Sequence, residues 1–315
     1  MRIILAPMQG VIDYQMRELL TSVGGYDRCV TEFVRVTDHR VPEKVFFRYC
    51  PELETGGRTK SGIPVYLQLL GGDPKSMGLS ARCAASLGAP GIDINFGCPA
   101  KTVNRHDGGS VLLKKPQRVF EIIHAVRENV SEQIPVSAKI RLGFEDDTLL
   151  SDIIGSAAEA GATELCIHAR TRTQGYKAPA YWSAVGQVQQ PAEMPITING
   201  EIWTPSDVTK AMHQSNSEHI MLARGALSCP DLALQTKAWH RSENYTPMDW
   251  SHVVELVRDQ FNSSTHFKGK YVGNRTKQWL SYLMRHYSEA SSLFHRVKRC
   301  IQADEIMQHL NEQAL

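Results

Sequence analysis

No two cysteines in this 315-residue chain are spaced C-x-x-C, and none of its 12 histidines falls in an H-E-x-x-H pattern. The seven cysteines, Cys29, Cys50, Cys83, Cys98, Cys166, Cys229 and Cys300, are odd in number and scattered. That argues against a disulfide framework and against a zinc or iron–sulfur centre, so no metal is expected. No apolar run approaches the ~18 residues a membrane span needs. The opening Met1-Arg2-Ile3-Ile4-Leu5-Ala6-Pro7 is broken by proline too early for a secretory signal, and the chain is expected to be cytoplasmic, with no membrane partner. A large excess of one charge is also missing: 35 Lys and Arg against 33 Asp and Glu leave a formal +2. With 42% hydrophobic and 22% charged residues, disordered and collagen-like classes are excluded.

Short β-rich runs are what the chain has instead: 2–8, 29–34, 63–69, 91–97, 136–142, 164–170, 195–201 and 219–225. Amphipathic stretches of helical spacing lie between most of them, as at 74–87, 116–130, 151–160 and 204–213. Eight strand–helix repeats predict parallel strands joined by right-handed crossovers and closed as a (β/α)8 TIM barrel, an α/β fold. The rival, an open doubly wound sheet, lacks its G-x-G-x-x-G fingerprint after the first strand. The interval 35–62 breaks the rhythm; it is long, rich in Pro, Gly and charge, and is expected to help wall an active site. From about Pro247 the pattern is helix only (250–261, 272–286, 290–300, 304–310), which predicts an all-helical bundle domain over 243–315 after a barrel over 1–242. Residues 266–303 carry eight lysines and arginines against one acid, Glu289, with Tyr271, Trp279, Tyr282 and Tyr287 interleaved. Such a face suits a phosphate backbone; the alternative is a solvated face whose aromatics turn into the bundle.

The run Gly91-Ile92-Asp93-Ile94-Asn95-Phe96-Gly97 leads straight into Cys98-Pro99, which sets a thiol at the end of a buried strand. Proline forbids a continuing ladder bond, so the chain turns there and the thiol stands at the rim where barrel enzymes keep their chemistry. Side chains two apart on a strand share a face, so Lys139 with Arg141, His168 with Arg170, and Asp93 with Asn95 point the same way. With Gln68 they converge on four neighbouring strand ends, a site for an electron-rich, partly anionic ligand or else a water-filled polar core. Asn199-Gly200-Glu201 and Ala223-Arg224-Gly225 end strands seven and eight, where this fold often binds phosphate. A phosphate there, with Lys139 and Gln68 across the rim, fits flavin mononucleotide (FMN) lying over the mouth. A thiol with an ordinary pKa of about 8.5 is mostly protonated at neutral pH and can give a proton to a carbanion formed opposite a hydride.

In order and spacing, Ala6-Pro7-Met8-Gln9-Gly10-Val11-Ile12-Asp13, Thr31-Glu32, Asn95-Phe96-Gly97-Cys98-Pro99, Lys139-Ile140-Arg141-Leu142-Gly143, His168-Ala169-Arg170-Thr171, Asn199-Gly200-Glu201-Ile202 and Arg224-Gly225-Ala226 resemble the tRNA-dihydrouridine synthases over nearly the whole chain. The resemblance implies that NADPH reduces bound FMN and that hydride passes to C6 of a tRNA uridine while the cysteine protonates C5. It implies Cys98 as proton donor. Pro7, Met8, Gln9, Gln68, Lys139, His168, Asn199, Gly200, Glu201, Arg224 and Gly225 would hold the flavin, and Asn95 and Arg141 would face the uracil. Phe33-Val34-Arg35-Val36 and Lys277-Gln278-Trp279-Leu280-Ser281-Tyr282-Leu283 most resemble the subfamily acting on uridine 16 of the D-loop. Arg35, Tyr176, Asn274, Arg275, Lys277 and Trp279 are the expected tRNA contacts, and no obligate protein partner is implied, so a monomer is expected. Ala169, Ala223 and Arg105-His106-Asp107 depart from the family's usual residues, but none removes a group the reaction needs. Two rival readings are a free-pyrimidine flavin reductase of the dihydroorotate dehydrogenase type, which would need no basic helical tail, and a non-catalytic RNA-binding module, which would need neither Cys98 nor Lys139.

Overall fold

The structure is a computed structural model that describes residues 1–188, 194–264 and 271–312; Lys268 and Lys270 of the basic stretch lie outside the described residues. Its strands are β1 (Ile3–Leu5), β2 (Arg28–Val30), β3 (Val34–Arg35), β4 (Val65–Leu70), β5 (Ile92–Asn95), β6 (Val136–Arg141), β7 (Glu164–His168), β8 (Ile196–Asn199) and β9 (His219–Leu222). All pair in parallel, and β1 lies between β2 and β9 while β2 also pairs with β4, so eight strands close a ring. This is the expected TIM barrel, with one refinement. The second β-rich run is split into β2 and β3, both laid along β4. The break falls at Thr31, whose Oγ1 accepts the Gln68 amide at 3.0 Å, so a side-chain oxygen stands in for a backbone carbonyl of the ladder.

Alternation along each strand sorts the side chains. On β6, Val136, Ala138 and Ile140 join the main core, which packs the helices on the barrel wall, while Lys139 and Arg141 line the mouth. Inside the barrel Ile4, Val30, Tyr66, Cys166 and Met221 form a separate apolar plug. Beneath the plug, Glu164 accepts two hydrogen bonds from Arg28 (2.9 and 3.0 Å) and one from Thr197 (2.5 Å). The barrel is thus a filled solid, open to ligands only at the carboxyl ends of its strands. The helices begin where the sequence provides caps: Asp73 accepts the Ser76 amide at 2.8 Å before Pro74–Ser86, and Thr204 and Asp207 cap each other before Pro205–Ser215.

The interval after β3 differs from expectation. It folds into a helix Glu43–Tyr49 and a 3-10 turn Pro51–Thr55, and Glu52 forms a buried bidentate pair with Arg17 at 2.8 and 2.9 Å. That pair holds the segment against the helix Tyr14–Val23, and none of residues 36–62 lines the mouth.

Among the described residues the C-terminal region holds the helices Trp250–Ser263, Asn274–Leu283, Ser288–Val297 and Ala303–Asn311. The second starts later than its periodicity predicts because Gly273 (φ +68°) turns the chain just before it. Val253, Val257, Phe261, Leu280, Leu283 and Leu293 are fully or almost fully buried there. Contacts that bind this region to the barrel include Trp279 Nε1 donating to the Leu227 carbonyl at 3.0 Å, Gln15 Nε2 donating to Ser263 O at 2.7 Å, Met248 N donating to Asp231 at 2.8 Å, and Arg275 donating to both the Gly10 carbonyl and the Asp13 carboxylate. Among the described residues no helix is long and apolar enough to cross a membrane.

Candidate active site

A cavity of about 250 Å³ opens at the carboxyl ends of the strands. Cys98 and all eleven residues expected to hold a flavin line it, and so do Asn95, Arg141 and Tyr176. The barrel thus brings together residues separated by more than two hundred positions.

Two of the lining groups are cations that the fold has drawn from water. Lys139 donates from Nζ to Asn199 Oδ1 at 3.1 Å, and burial, reinforced by nearby Arg141, holds its ammonium below the usual lysine range. Asn199 is fixed in turn because its Nδ2 donates to the Met221 carbonyl at 2.8 Å. Arg141 spends its donors on backbone: Nε on the Gly97 carbonyl (2.8 Å), Nη1 on those of Thr171 (3.1 Å) and Gly175 (2.9 Å). It therefore joins the cysteine loop to the loop after β7, and its guanidinium lies 5.0 Å from the centre of the Tyr176 ring. Tyr176 is 55% exposed at the lip of the mouth.

His168 is buried, and desolvation together with Arg141, Lys139, Arg170 and Arg224 pushes its pKa well below the ordinary value. A neutral ring follows at physiological pH. Its Nε2 lies 3.1 Å from Arg170 Nη1, and since a guanidinium only donates, Nε2 is the acceptor and the proton resides on Nδ1. Arg170 is fully buried; it also donates from Nε to the Lys177 and Pro179 carbonyls and from Nη2 to Glu201. Glu201 gathers Arg170, Arg224 (3.3 Å) and the Trp203 indole N–H (2.8 Å). Burial works to raise its pKa, but the bonds from Trp203 and Arg170 outweigh it and keep the group a carboxylate. Trp203 was not among the expected site residues, and Arg170, expected to share the face of His168 at the site, was given no part in holding a ligand. The signals were present in the sequence: Arg170 lies two positions beyond His168 on the same strand run, and Trp203 follows the Asn-Gly-Glu-Ile turn.

The loop after β5 is tied down around Cys98. The Cys98 carbonyl accepts from Asn104 Nδ2 (3.0 Å), Ser110 N (3.1 Å) and Ser110 Oγ (2.9 Å), while Asn95 Oδ1 accepts the amides of Gly97 and Cys98, both at 2.9 Å. Gly109 (φ +66°) packs so closely beneath that a Cβ there would stand 2.8 Å from the Cys98 carbonyl oxygen. Cys98 is partly accessible, unlike the six other cysteines, all of which are buried. Burial raises its thiol pKa, against the opposing pull of the Ala100 amide, Arg141 and Arg35, so the sulfur carries its proton at neutral pH.

The expected tRNA contacts fare unequally. Arg35 is exposed on β3 beside the mouth and Asn274 is exposed at the start of its helix. Arg275 and Lys277 are partly buried and already engaged, Arg275 with Gly10 and Asp13, Lys277 with the Cys300 carbonyl at 2.5 Å. The expectation for Trp279 is overturned by its placement: at 1% exposure, with its N–H on Leu227, it anchors the helical region to the barrel and presents no surface to RNA. Elsewhere among the described residues, Cys300, Glu305 and His309 bring one ligand atom each within 4.8 Å, but Lys277, whose Nζ donates to the Cys300 carbonyl, sets a positive charge beside the group, which disfavours a cation.

A parallel barrel with a protonated thiol, a desolvated lysine and a neutral histidine at its mouth has the groups to hold an electron-rich ligand and to pass it a proton. The fold alone is shared with solved structures: histamine dehydrogenase from Rhizobium sp. 4-9 superposes with a TM-score of 0.58 at 12% identity, covering 83% of this chain and 48% of that one. 2-Naphthoyl-CoA reductase superposes with a TM-score of 0.55 at 14% identity, covering 77% and 50%. The family model for dihydrouridine synthase matches residues 4–315, and the chain belongs to that family of oxidoreductases. Among its relatives, the tRNA-dihydrouridine(16) synthase of Shewanella oneidensis is 45% identical over 313 residues, covering 99% of this chain and 98% of that protein. Those of Vibrio vulnificus (44% identical, 99% and 97% covered) and Haemophilus influenzae (42%, 99% and 100%) carry the same name.

Proposed function

We propose that this protein reduces the C5=C6 bond of a uridine in the tRNA D-loop, uridine 16, to 5,6-dihydrouridine, using FMN with NADPH as reductant, as a cytoplasmic monomer. The observation that carries the reading is the placing of a protonated Cys98 thiol in one mouth with Lys139, His168 and the Gly200 and Gly225 turns.

The residues present fit a flavin. A Cβ on Gly200 would stand 2.7 Å from His168 Cδ2, and one on Gly225 would stand 2.2 Å from the Ile202 carbonyl oxygen, so both turns are packed too closely to take a side chain and keep bare backbone at the mouth. Among the described residues Lys139 forms no direct ion pair and donates to an amide oxygen, which leaves its charge to face an electron-rich ligand edge. Arg224 stands beside Gly225 to meet a phosphate. Bound there, the flavin supplies a hydride for C6, the electron pair coming from NADPH.

The protein's own part is geometric and acidic. Hydride addition at C6 leaves the electron pair at C5 conjugated with the C4 carbonyl. Cys98 gives its proton to C5, and the S–H bond breaks as the C5–H bond forms. Arg141, held by three backbone carbonyls, is a rigid cation beside the thiol that favours the thiolate left behind. A stacked base inside folded RNA reaches this mouth only after swinging out, and exposed Tyr176, backed by Arg141 and Arg224, offers a face for it.

Incubation with NADPH and unmodified tRNA, followed by nuclease digestion and mass spectrometry, tests the proposal. The expected result is a gain of two hydrogens confined to the D-loop fragment containing uridine 16. A gain at another uridine would cancel the position, and no gain despite a bound, reducible flavin would shift the substrate to a small pyrimidine. The cradle makes a separate prediction. Gly200→Ala places a methyl against His168 at a φ of +112° that L residues rarely adopt, and the purified variant should lose most of its flavin absorbance while remaining folded.

A further inference from the structure

Asp93 is a buried carboxylate that has no part in the chemistry above. Its Oδ1 accepts the Ser137 hydroxyl at 2.6 Å and its Oδ2 accepts Gln68 Nε2–H at 2.7 Å. With its nitrogen committed to Asp93, Gln68 turns its oxygen the other way and accepts Asn95 Nδ2–H at 2.8 Å. Asn95 then has its own oxygen left for the amides of Gly97 and Cys98, both at 2.9 Å. Both carboxyl oxygens of Asp93 act as acceptors here, so one group sets the orientation of two successive amides, and the last of them holds the cysteine. Burial pushes the Asp93 pKa up, and the donors Ser137 and Gln68 with the charges of Arg28 and Lys139 offset that only in part.

We propose that Asp93 is a positioning residue for Cys98: through Gln68 and Asn95 it fixes the amide of the cysteine, and with it the place of the thiol over the mouth. The carbonyl side of Cys98 is anchored separately by Asn104 and Ser110, so loss of the chain from Asp93 loosens the thiol without releasing the whole loop. A displacement of an ångström is enough to lower a proton transfer by about a hundredfold. The catalytic consequence rests on the reading of Cys98 as proton donor; the positional one does not.

The thiol reports its own position. Because the other six cysteines are buried, iodoacetamide reacts first at Cys98, and its rate is followed by peptide mass spectrometry on the full-length, flavin-loaded protein. Asp93→Ala, and the volume-conserving Gln68→Met one link further along, are each expected to raise that rate about fivefold or more. Asp93→Ala is also expected to lower single-turnover uridine reduction about tenfold or more, with tRNA affinity unchanged. A folded Asp93→Ala protein alkylated within about twofold of the wild-type rate would overturn the proposal. Should that variant not fold, Gln68→Met decides by the same criterion. If wild-type protein reduces no uridine, the function proposed above falls while the alkylation result still judges Asp93.

Discussion

Cys98→Ala is expected to purify with its flavin, to consume NADPH at the wild-type rate in the first half-reaction, and to reduce uridine at least about a hundredfold more slowly, the lower end of what a positioned general acid contributes. The split follows from where the sulfur stands. It lies on the loop after β5, while the groups that would hold the flavin project from other strand ends, so removing it leaves the cradle in place. The pH dependence has a definite sign. Desolvation raises the thiol pKa, with the Ala100 amide, Arg141 and Arg35 only partly offsetting it, so the proton-bearing form persists through neutral pH. Uridine reduction in a single turnover should therefore be flat there and decline only on the alkaline side of the ordinary thiol range, about 8.5. A decline beginning below neutrality, or an unimpaired Cys98→Ala enzyme, would remove the thiol from this role.

Trp279→Ala should lower global stability by about 3–5 kcal/mol, the range for emptying a buried aromatic site. The indole is 1% exposed, and its N–H satisfies the Leu227 carbonyl inside the short helix Arg224–Ser228. Truncation leaves both a cavity and an unpaired buried acceptor beside the segment that carries Arg224 and Gly225. Trp279→Phe should recover most of the packing and leave only the hydrogen-bond deficit, about 1–3 kcal/mol. Urea unfolding midpoints at constant slope measure both. A surface RNA contact would behave differently, losing tRNA affinity with no change in the midpoint.

The barrel was legible because its evidence is repeated. Eight β-rich runs with helices between them admit few closures, and Asp73 and Thr204 mark helix starts by their residue type. The mouth was legible for a related reason: polar residues two apart at strand ends have one face to share, as Lys139 and Arg141 do. What periodicity could not show was how far a helical aromatic turns inward. Trp279 and Tyr282 stand three apart on one helix, yet Trp279 is sealed in the interface and Tyr282 only half buried. The break at Thr31 was equally hidden, since the hydroxyl that replaces a ladder acceptor leaves no trace in hydrophobic pattern. Nor does composition reveal that Arg17 and Glu52, 35 positions apart, would draw the long segment after β3 away from the mouth.

The placing of β1 between β2 and β9 has a consequence for biosynthesis. Ile3 pairs with Ile220, which is made much later, and Arg275 must arrive later still to clasp Gly10 and Asp13. At about 5–20 residues per second, the opening strand waits roughly ten to forty seconds for its second neighbour. Throughout that interval the unfinished ring has exposed edges and no complete mouth, a state in which nascent chains depend on chaperones. Loading of any ligand into the mouth is thereby deferred until β9 has been made, and translation products cut short before it are barred from competing for that ligand.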